Sequence, residues 1–214
     1  MPPLANRPSP PSFRTSRLVF RAIEQNPEDD ATIVDLFGSD AEGQFGWTEE
    51  PGIPWRSKDV EEFHKAIERA TFAVVICLPK TDVPEPQDQG DSKVHSKKIS
   101  GTAIGIMALH PIRHPHRRAD FGIAIHRDHQ GKGYAREAME WLLDRAFVGF
   151  SLNRVQGRCA GWNERALSLY KSLGFVEEGR LRAATWCQGA FYDELQIGML
   201  ASEWIARQQA KSTA

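Results

Sequence analysis

Phe121-Gly122-Ile123-Ala124-Ile125, then His126 to His129, then Gln130-Gly131-Lys132-Gly133-Tyr134-Ala135: the fold turns on the reading of this stretch. Bulky and small residues alternate over the first five positions, as on a strand with one filled and one nearly bare face. Apolar residues then recur at Ala135, Ala138, Met139, Leu142 and Ala146, the spacing of one helix face, which predicts a helix over Ala135 to Val148. Strand, glycine-bearing turn and helix start together make an anion site. The first N–H groups of a helix lack intrahelical acceptors, and its dipole favours negative charge there. Gly131 and Gly133 let the backbone curl toward a phosphate with no Cβ in the way. A plain structural turn has the same pattern, and small strand residues also serve simply to let a helix pack closely.

Two nucleotide motifs are excluded. A dinucleotide fingerprint needs a third glycine three residues past Gly133, where Arg136 stands. A P-loop needs Gly-Lys followed by Ser or Thr, but Lys132 is followed by Gly133.

Upstream, residues 1 to 14 hold five prolines and read as a flexible arm. Arg17 to Ile23 reads as a first strand. Asn26 and Pro27 open a helix through about Phe37, and Ser57 caps a second whose Val60, Phe63, Ile67 and Ala70 share a face. The aromatic, Gly- and Pro-rich segment between them, Gly43 to Trp55, reads as an ordered loop. Phe72 to Leu78 and Ile99 to Leu109 read as paired strands joined by an exposed insertion at 79–98. Downstream come a strand over Arg154 to Ala160, a helix over Asn163 to Leu173 ended by Gly174, and two closing strands, about Phe175 to Trp186 and Phe191 to Leu200. The expected fold is a mixed α/β domain over 15–206, a mostly antiparallel central sheet flanked by about four helices, with a tail over 207–214.

Composition fits this reading. The chain has 214 residues, 41% hydrophobic and 26% charged, enough to bury a core without disulfides or metal. A net charge of −1 gives no electrostatic case for nucleic acid. No run approaches the roughly 20 apolar residues of a membrane helix, and no secretory signal opens the chain. Three isolated cysteines, Cys77, Cys159 and Cys187, read as free thiols of a cytoplasmic protein. The histidines and arginines of the His110 to Arg118 segment lack the acidic or thiol partners of a metal site and read as a solvated loop; no metal is expected.

The loop resembles the acetyl-CoA loop of the GNAT superfamily of N-acetyltransferases, Gln/Arg-x-x-Gly-x-Gly/Ala, met by Gln130-x-x-Gly133-x-Ala135. A second likeness is Asn163-Glu164-Arg165-Ala166 with Leu169-Tyr170-Lys171-Ser172-Leu173-Gly174-Phe175. A third is Gly189 to Glu194 with Glu203-Trp204, which resembles the branch of ribosomal-protein N-terminal and polyamine acetyltransferases. The three run in the family's order over nearly the whole chain. The resemblance implies that amides of Gly131, Lys132, Gly133, Tyr134 and Ala135 hold the pyrophosphate of acetyl-CoA, with Gln130 in the same loop. Main-chain groups of Ile123, Ala124 and Ile125 would pair with the pantetheine, which Asn163 also touches. Tyr170 would protonate the departing sulfur, a role a phenol near pKa 10 can serve. Packing on Ala166 and Leu173 is its other reading.

The acceptor is expected to be a primary amine, a peptide N-terminus or a small molecule such as a polyamine. An amine of pKa about 10.4 is only about 0.04% neutral at pH 7, an α-amine near 8 about 10%, a difference of about 3.3 kcal/mol. A base therefore matters most for the first kind. Asp120, where relatives often carry Glu, is the candidate; ion pairing is its alternative. Glu49, Glu50 and Glu194 are further carboxylates for a cationic acceptor, and Trp47, Trp55 and Trp186 are candidate pocket walls. Cys159 lacks a recognisable His partner for an acyl-cysteine, so direct attack is expected. The implied activity is acetyl transfer by a monomer or homodimer. The competing readings are a non-catalytic acyl-CoA sensor and a generic nucleotide binder.

Overall fold

The first strand, β1 (Val19–Ala22), pairs antiparallel with β2 (Phe72–Pro79), and together they start the sheet. The structure, a computed structural model, describes residues 12–38, 53–79 and 101–213. Most of the proline-rich arm, Gly43 to Gly52 with Trp47, Glu49 and Glu50, and nearly all of the insertion therefore lie outside the described residues.

Helix α1 (Pro27–Ile33) starts as its sequence directs. Pro27 takes the first position, and Asn26 Oδ1 accepts from the amides of Glu28 and Asp29, each at 3.0 Å. A wider turn, Val34–Gly38, extends it. Helix α2 (Ser57–Glu68) departs from expectation at its cap. Ser57 is already helical, and the Asp59 carboxylate reaches back to the amide of Arg56 at 2.7 Å. A carboxylate at the third helical position satisfies the N–H of Arg56, which makes Arg56 rather than Ser57 the cap residue.

Strands β3 (Gly101–Leu109), β4 (Arg118–Ile125), β5 (Arg154–Ala160), β6 (Val176–Cys187) and β7 (Ala190–Leu200) complete a seven-stranded sheet in the order β1-β2-β3-β4-β5-β7-β6. Phe72 opposite Leu109 and Pro79 opposite Gly101 show β2 and β3 as the paired strands flanking the insertion. Every pairing is antiparallel except β4 with β5.

Helices α3 (Tyr134–Asp144, continued by a wider turn over Arg145–Gly149) and α4 (Glu164–Leu173) cover one face of this sheet. Met139, Leu142, Tyr170 and Leu173 pack there with Met107, Phe121 and Val155. On the other face Ile33, Phe37, Val60 and Phe63 of α1 and α2 close over Ile106. Met107 and Ile106 go to opposite cores because strand side chains alternate. Each fully buried Ile or Phe contributes about 1.5–3 kcal/mol. Gly174 ends α4 in the left-handed region at φ +101, as expected of a C-terminal glycine.

A fifth helix, α5 (Ala201–Thr213), corrects the expected tail over 207–214 and adds to the four helices expected. Trp204 is buried against Phe147, Arg207 Nη2 donates to Ser172 O at 2.8 Å, and Lys211 pairs with Glu140 at 2.9 Å. A segment poor in periodic apolar residues is helical here because one tryptophan and two long cations dock it. The end of the arm is likewise held: Ser12 O accepts from Trp141 Nε1 at 2.9 Å and Arg145 Nη2 at 2.8 Å.

Candidate active site

The parallel seam between β4 and β5 is short. Pairing runs only over Arg118 with Arg154, Ala119 with Val155 and Asp120 with Gln156. From Phe121 onward β4 leaves β5, which continues along β7 instead. An opened seam exposes main-chain groups on the side of β4 that faces away from β3. Which residues supply them follows from antiparallel alternation. His110 N donates to Asp120 O and His126 N to Ile104 O, each at 2.8 Å. Asp120, Gly122, Ala124 and His126 therefore spend their main-chain groups on β3, while Phe121, Ile123 and Ile125 point theirs into the seam. Of the three strand residues expected to meet a pantetheine chain, Ile123 and Ile125 turn main-chain groups into the seam, whereas Ala124 turns its own toward β3 and packs against the core under α1 and α2.

At the end of this strand the chain enters the glycine loop. Both glycines take left-handed backbone, φ +74 at Gly131 and φ +83 at Gly133. A Cβ at Gly131 would meet nothing within 4 Å, and one at Gly133 would come to 3.2 Å from Arg17 Nη2. The first intrahelical bond, Glu137 N to Gly133 O at 3.2 Å, comes after the amides of Tyr134, Ala135 and Arg136, which therefore lie at the helix mouth. An open cradle of glycine backbone at a helix N-terminus fits a diphosphate.

Gln130 clamps this loop. Its Nε2 donates to Ile125 O at 2.9 Å and its Oε1 accepts from Arg165, joining the end of β4 to the start of α4. Lys132 Nζ donates to Asp128 O at 2.8 Å across the same turn. Arg17 does comparable work from the far end of the chain. Its Nη1 donates to Lys132 O at 3.0 Å, its Nε pairs with Glu137 at 2.7 Å, and its guanidinium lies over the Tyr134 ring at 5.0 Å. Glu137 also gathers Thr15 and Ser16. Burial pushes its carboxyl up, but these donors outweigh it and hold the group below the usual carboxylate range. Sequence reading missed Arg17, Glu137 and Arg165, because no local spacing connects Arg17 to Glu137, 120 positions on, or Gln130 to Arg165, 35 positions on.

Tyr170 stands across the seam, on α4. Its ring meets Phe121 edge-on at 5.3 Å and Phe175 at 5.8 Å, and it is buried at 8% exposure. Burial pushes its phenol well up, so the proton stays on oxygen through the physiological range. Cys159 lies beside it on β5, and burial raises that thiol to about 11. A thiol so protonated is a poor nucleophile. Asn163 caps α4 by accepting from Ala166 N at 3.1 Å.

On the opposite face a cleft of about 320 Å³ opens between α2 and the sheet, lined by Trp55, Asp59, Glu62, Phe63, His110 and Phe121 among others. The Asp59 carboxylate sits below the usual range because Arg56 donates to it, and Glu62 likewise because of Lys65. Trp55 thus lines the cleft as expected, whereas Trp186 pairs with Phe191 on the exposed β6–β7 ribbon. Glu194 faces Arg158 on β5 at 3.6 Å. The Asp120 carboxylate accepts from Arg113 Nη2 at 3.0 Å and Gln156 Nε2 at 2.9 Å. Among the described residues no three His, Cys, Asp or Glu side chains gather as a metal site, and no helix is long and apolar enough to cross a membrane.

A sheet opened between its fourth and fifth strands, with a glycine cradle at one end and a buried tyrosine across the gap, defines a class. The acetyltransferase (GNAT) domain family matches residues 17–176, and the chain belongs to that family. It is 36% identical over 106 residues to a spermidine N(1)-acetyltransferase of Vibrio cholerae, covering 50% of this chain but 61% of that protein's length. To the Escherichia coli K12 spermidine N(1)-acetyltransferase it is 29% identical over 129 residues, 57% of this chain and 69% of that one. A crystal structure of spermidine N-acetyltransferase from V. cholerae in complex with CoA and spermine superimposes with a TM-score of 0.68 at 27% identity, covering 89% of this chain and 99% of that one.

Proposed function

We propose that this chain is an acetyl-CoA-dependent N-acetyltransferase acting on primary amines of the polyamine class. The observation that carries the reading is the position of Phe121. It borders the cleft under α2 and also touches Tyr170 on the other side of the opened seam. An acceptor and a thioester brought in from opposite faces would meet beside it.

The thioester supplies an activated acetyl group. Amides from Gly131 through Ala135 would hold its diphosphate, with Lys132 adding positive charge and Gln130 fixing the loop. Ile123 and Ile125 would pair with the pantetheine as an added strand, beside Asn163. Tyr170 keeps its proton until a thiolate forms next to it, then donates it. The inert Cys159 supports direct attack over an acyl-enzyme route.

In the cleft, Trp55, Phe63, Ala66 and Ile67 offer an apolar floor for methylene groups, while Asp59 and Glu62 stay ionised for ammonium groups. That pattern matches a flexible polycation, and spermidine, after which the acetyltransferase relatives are named, is of the same kind. Cys77, Cys159 and Cys187 are buried and no disulfide joins them, which suits the reducing cytoplasm.

The test is acetyl-CoA-dependent thiol release by the purified full chain with spermidine, with peptides bearing free α-amines, and with no acceptor. Spermidine-dependent release with formation of acetylspermidine is expected. Release only with peptides would reassign the acceptor. Tight CoA binding with no transfer to any amine would favour the sensor reading and overturn this one.

A further inference from the structure

Resting on the acetyltransferase reading, we propose that Arg17 is a positioning residue for the acetyl donor. It fixes the shape of the glycine loop and cancels the charge of Glu137 beside it, and so sets affinity for the diphosphate half of acetyl-CoA, not the acetyl half. Residues 13–20 fold back on themselves as they run into β1. Phe20 N donates to Phe13 O at 2.8 Å, Arg14 bridges Val19 antiparallel, and Thr15 N donates to Leu18 O at 2.9 Å. The tip of this small hairpin, Thr15 to Leu18, docks on the first turn of α3 through Glu137.

Glu137 plugs into that tip. Its Oε1 accepts from Thr15 Oγ1 at 2.6 Å, from Ser16 Oγ at 3.0 Å and from the amide of Arg17 at 2.9 Å. Its Oε2 takes Arg17 Nε at 2.7 Å. Four donors on one carboxylate keep it ionised and fix where it sits. A negative charge in the first turn of a helix suits the helix dipole, but it repels an anionic ligand brought to the same end. Of the four donors, only the guanidinium carries an opposing charge.

The same guanidinium reaches the loop itself. Its Nη1 donates to Lys132 O at 3.0 Å, the carbonyl between the two left-handed glycines, Gly131 and Gly133. Its Nη2 is the nearest atom to a Cβ built on Gly133, at 3.2 Å, and its carbon lies over the Tyr134 ring at 5.0 Å. Glycine backbone is conformationally free, so a left-handed loop keeps one shape only where something outside it holds the chain. A planar fork can bond the carbonyl and the carboxylate at once, whereas a lysine ammonium supplies charge from a single point. All these contacts are with the loop and the first turn of α3, the part assigned to the diphosphate. The sulfur is assigned to Tyr170, on another helix.

The experiment compares a donor that has the diphosphate with one that lacks it. In the full chain, Kd for CoA is measured by calorimetric titration, and kcat/KM with spermidine is measured for acetyl-CoA and for acetylpantetheine. Arg17→Gln is expected to weaken CoA binding about tenfold and to lower kcat/KM for acetyl-CoA by the same factor, through KM. Its kcat/KM for acetylpantetheine is expected to change by less than about twofold. Arg17→Lys, which keeps the charge but not the fork, is expected to lose about threefold on CoA alone, and it carries the test if Arg17→Gln folds poorly. Adding Glu137→Gln to Arg17→Gln is expected to bring CoA affinity back to within about threefold of wild type, because the uncompensated charge leaves with it. Equal losses on the two donors, unchanged CoA affinity in either Arg17 variant, or a double variant no better than Arg17→Gln would overturn the proposal while leaving acetyl transfer intact. Failure of the wild type on every amine would instead overturn the activity, with the CoA titrations still reporting on Arg17.

Discussion

Phe121 and Tyr170 meet edge to face at 5.3 Å across a seam where β4 and β5 have parted. The same phenylalanine ring fills the space above Gly157 on β5, where a Cβ would come within 2.7 Å of it. This contact holds the buried phenol at the place where the two faces of the sheet communicate. Removing the phenol oxygen alone should therefore slow proton delivery without loosening the packing. Tyr170→Phe is expected to lower kcat about 10²-fold with CoA affinity and thermal stability near wild type, as read by steady-state kinetics and calorimetry. A wild-type kcat would remove Tyr170 from the chemistry.

Gly133 takes φ +83, a region that β-branched residues avoid at a cost of order 1–3 kcal/mol. Gly133→Val is expected to weaken CoA binding at least about tenfold by calorimetric titration, because it strains the loop and presses a side chain against the Arg17 guanidinium that braces it. Unchanged affinity would place the diphosphate elsewhere.

Asp59 and Glu62 line the cleft as ionised groups in solvent. Asp59→Asn with Glu62→Gln is expected to raise KM for spermidine about fivefold, with a small effect on kcat and on a singly charged amine. Added salt should raise the wild-type KM toward that of the variant. Equal KM values for both amines in both proteins would exclude these carboxylates from acceptor binding.

Far from the site, Asp29 is buried at 1% exposure and takes Arg21 at both oxygens and Glu24 N at 2.8 Å. Burial pushes this carboxyl up, but Arg21 and the amide outweigh it and lower it overall. A lowered folded-state value means the stabilisation is present above the unfolded value, about 4, and lost as pH falls through the folded one. Asp29→Asn is expected to cost about 3 to 5 kcal/mol at pH 7, a fall of roughly 10 °C in Tm, with the gap to wild type closing below pH 4. A constant gap across pH would show that packing, not charge, accounts for the loss.

Much of this was legible in the residues. Alternation in Phe121 to Ile125, glycines at 131 and 133, and the Asn163 and Gly174 bounds of α4 are local signals, and each sits where its spacing puts it. What escaped depends on long-range geometry. Ala124 reads like its neighbours, yet register against β3 commits its main chain, and only the pairing reveals that. His110 reads as part of a basic loop until the hairpin folds it over the cleft. Arg17 and Glu137 meet across the whole first half of the chain. Helix α5 has a weak apolar stripe and forms against Ser172 and Glu140, partners no local window contains.

Crystals grown with CoA test the central placement most directly. The account predicts the diphosphate on the amides of Gly131 to Ala135 and the pantetheine running along Ile123 and Ile125, its sulfur near the Tyr170 hydroxyl. A ligand bound outside the opened seam, with Ile123 and Ile125 making no contact to it, would contradict the account.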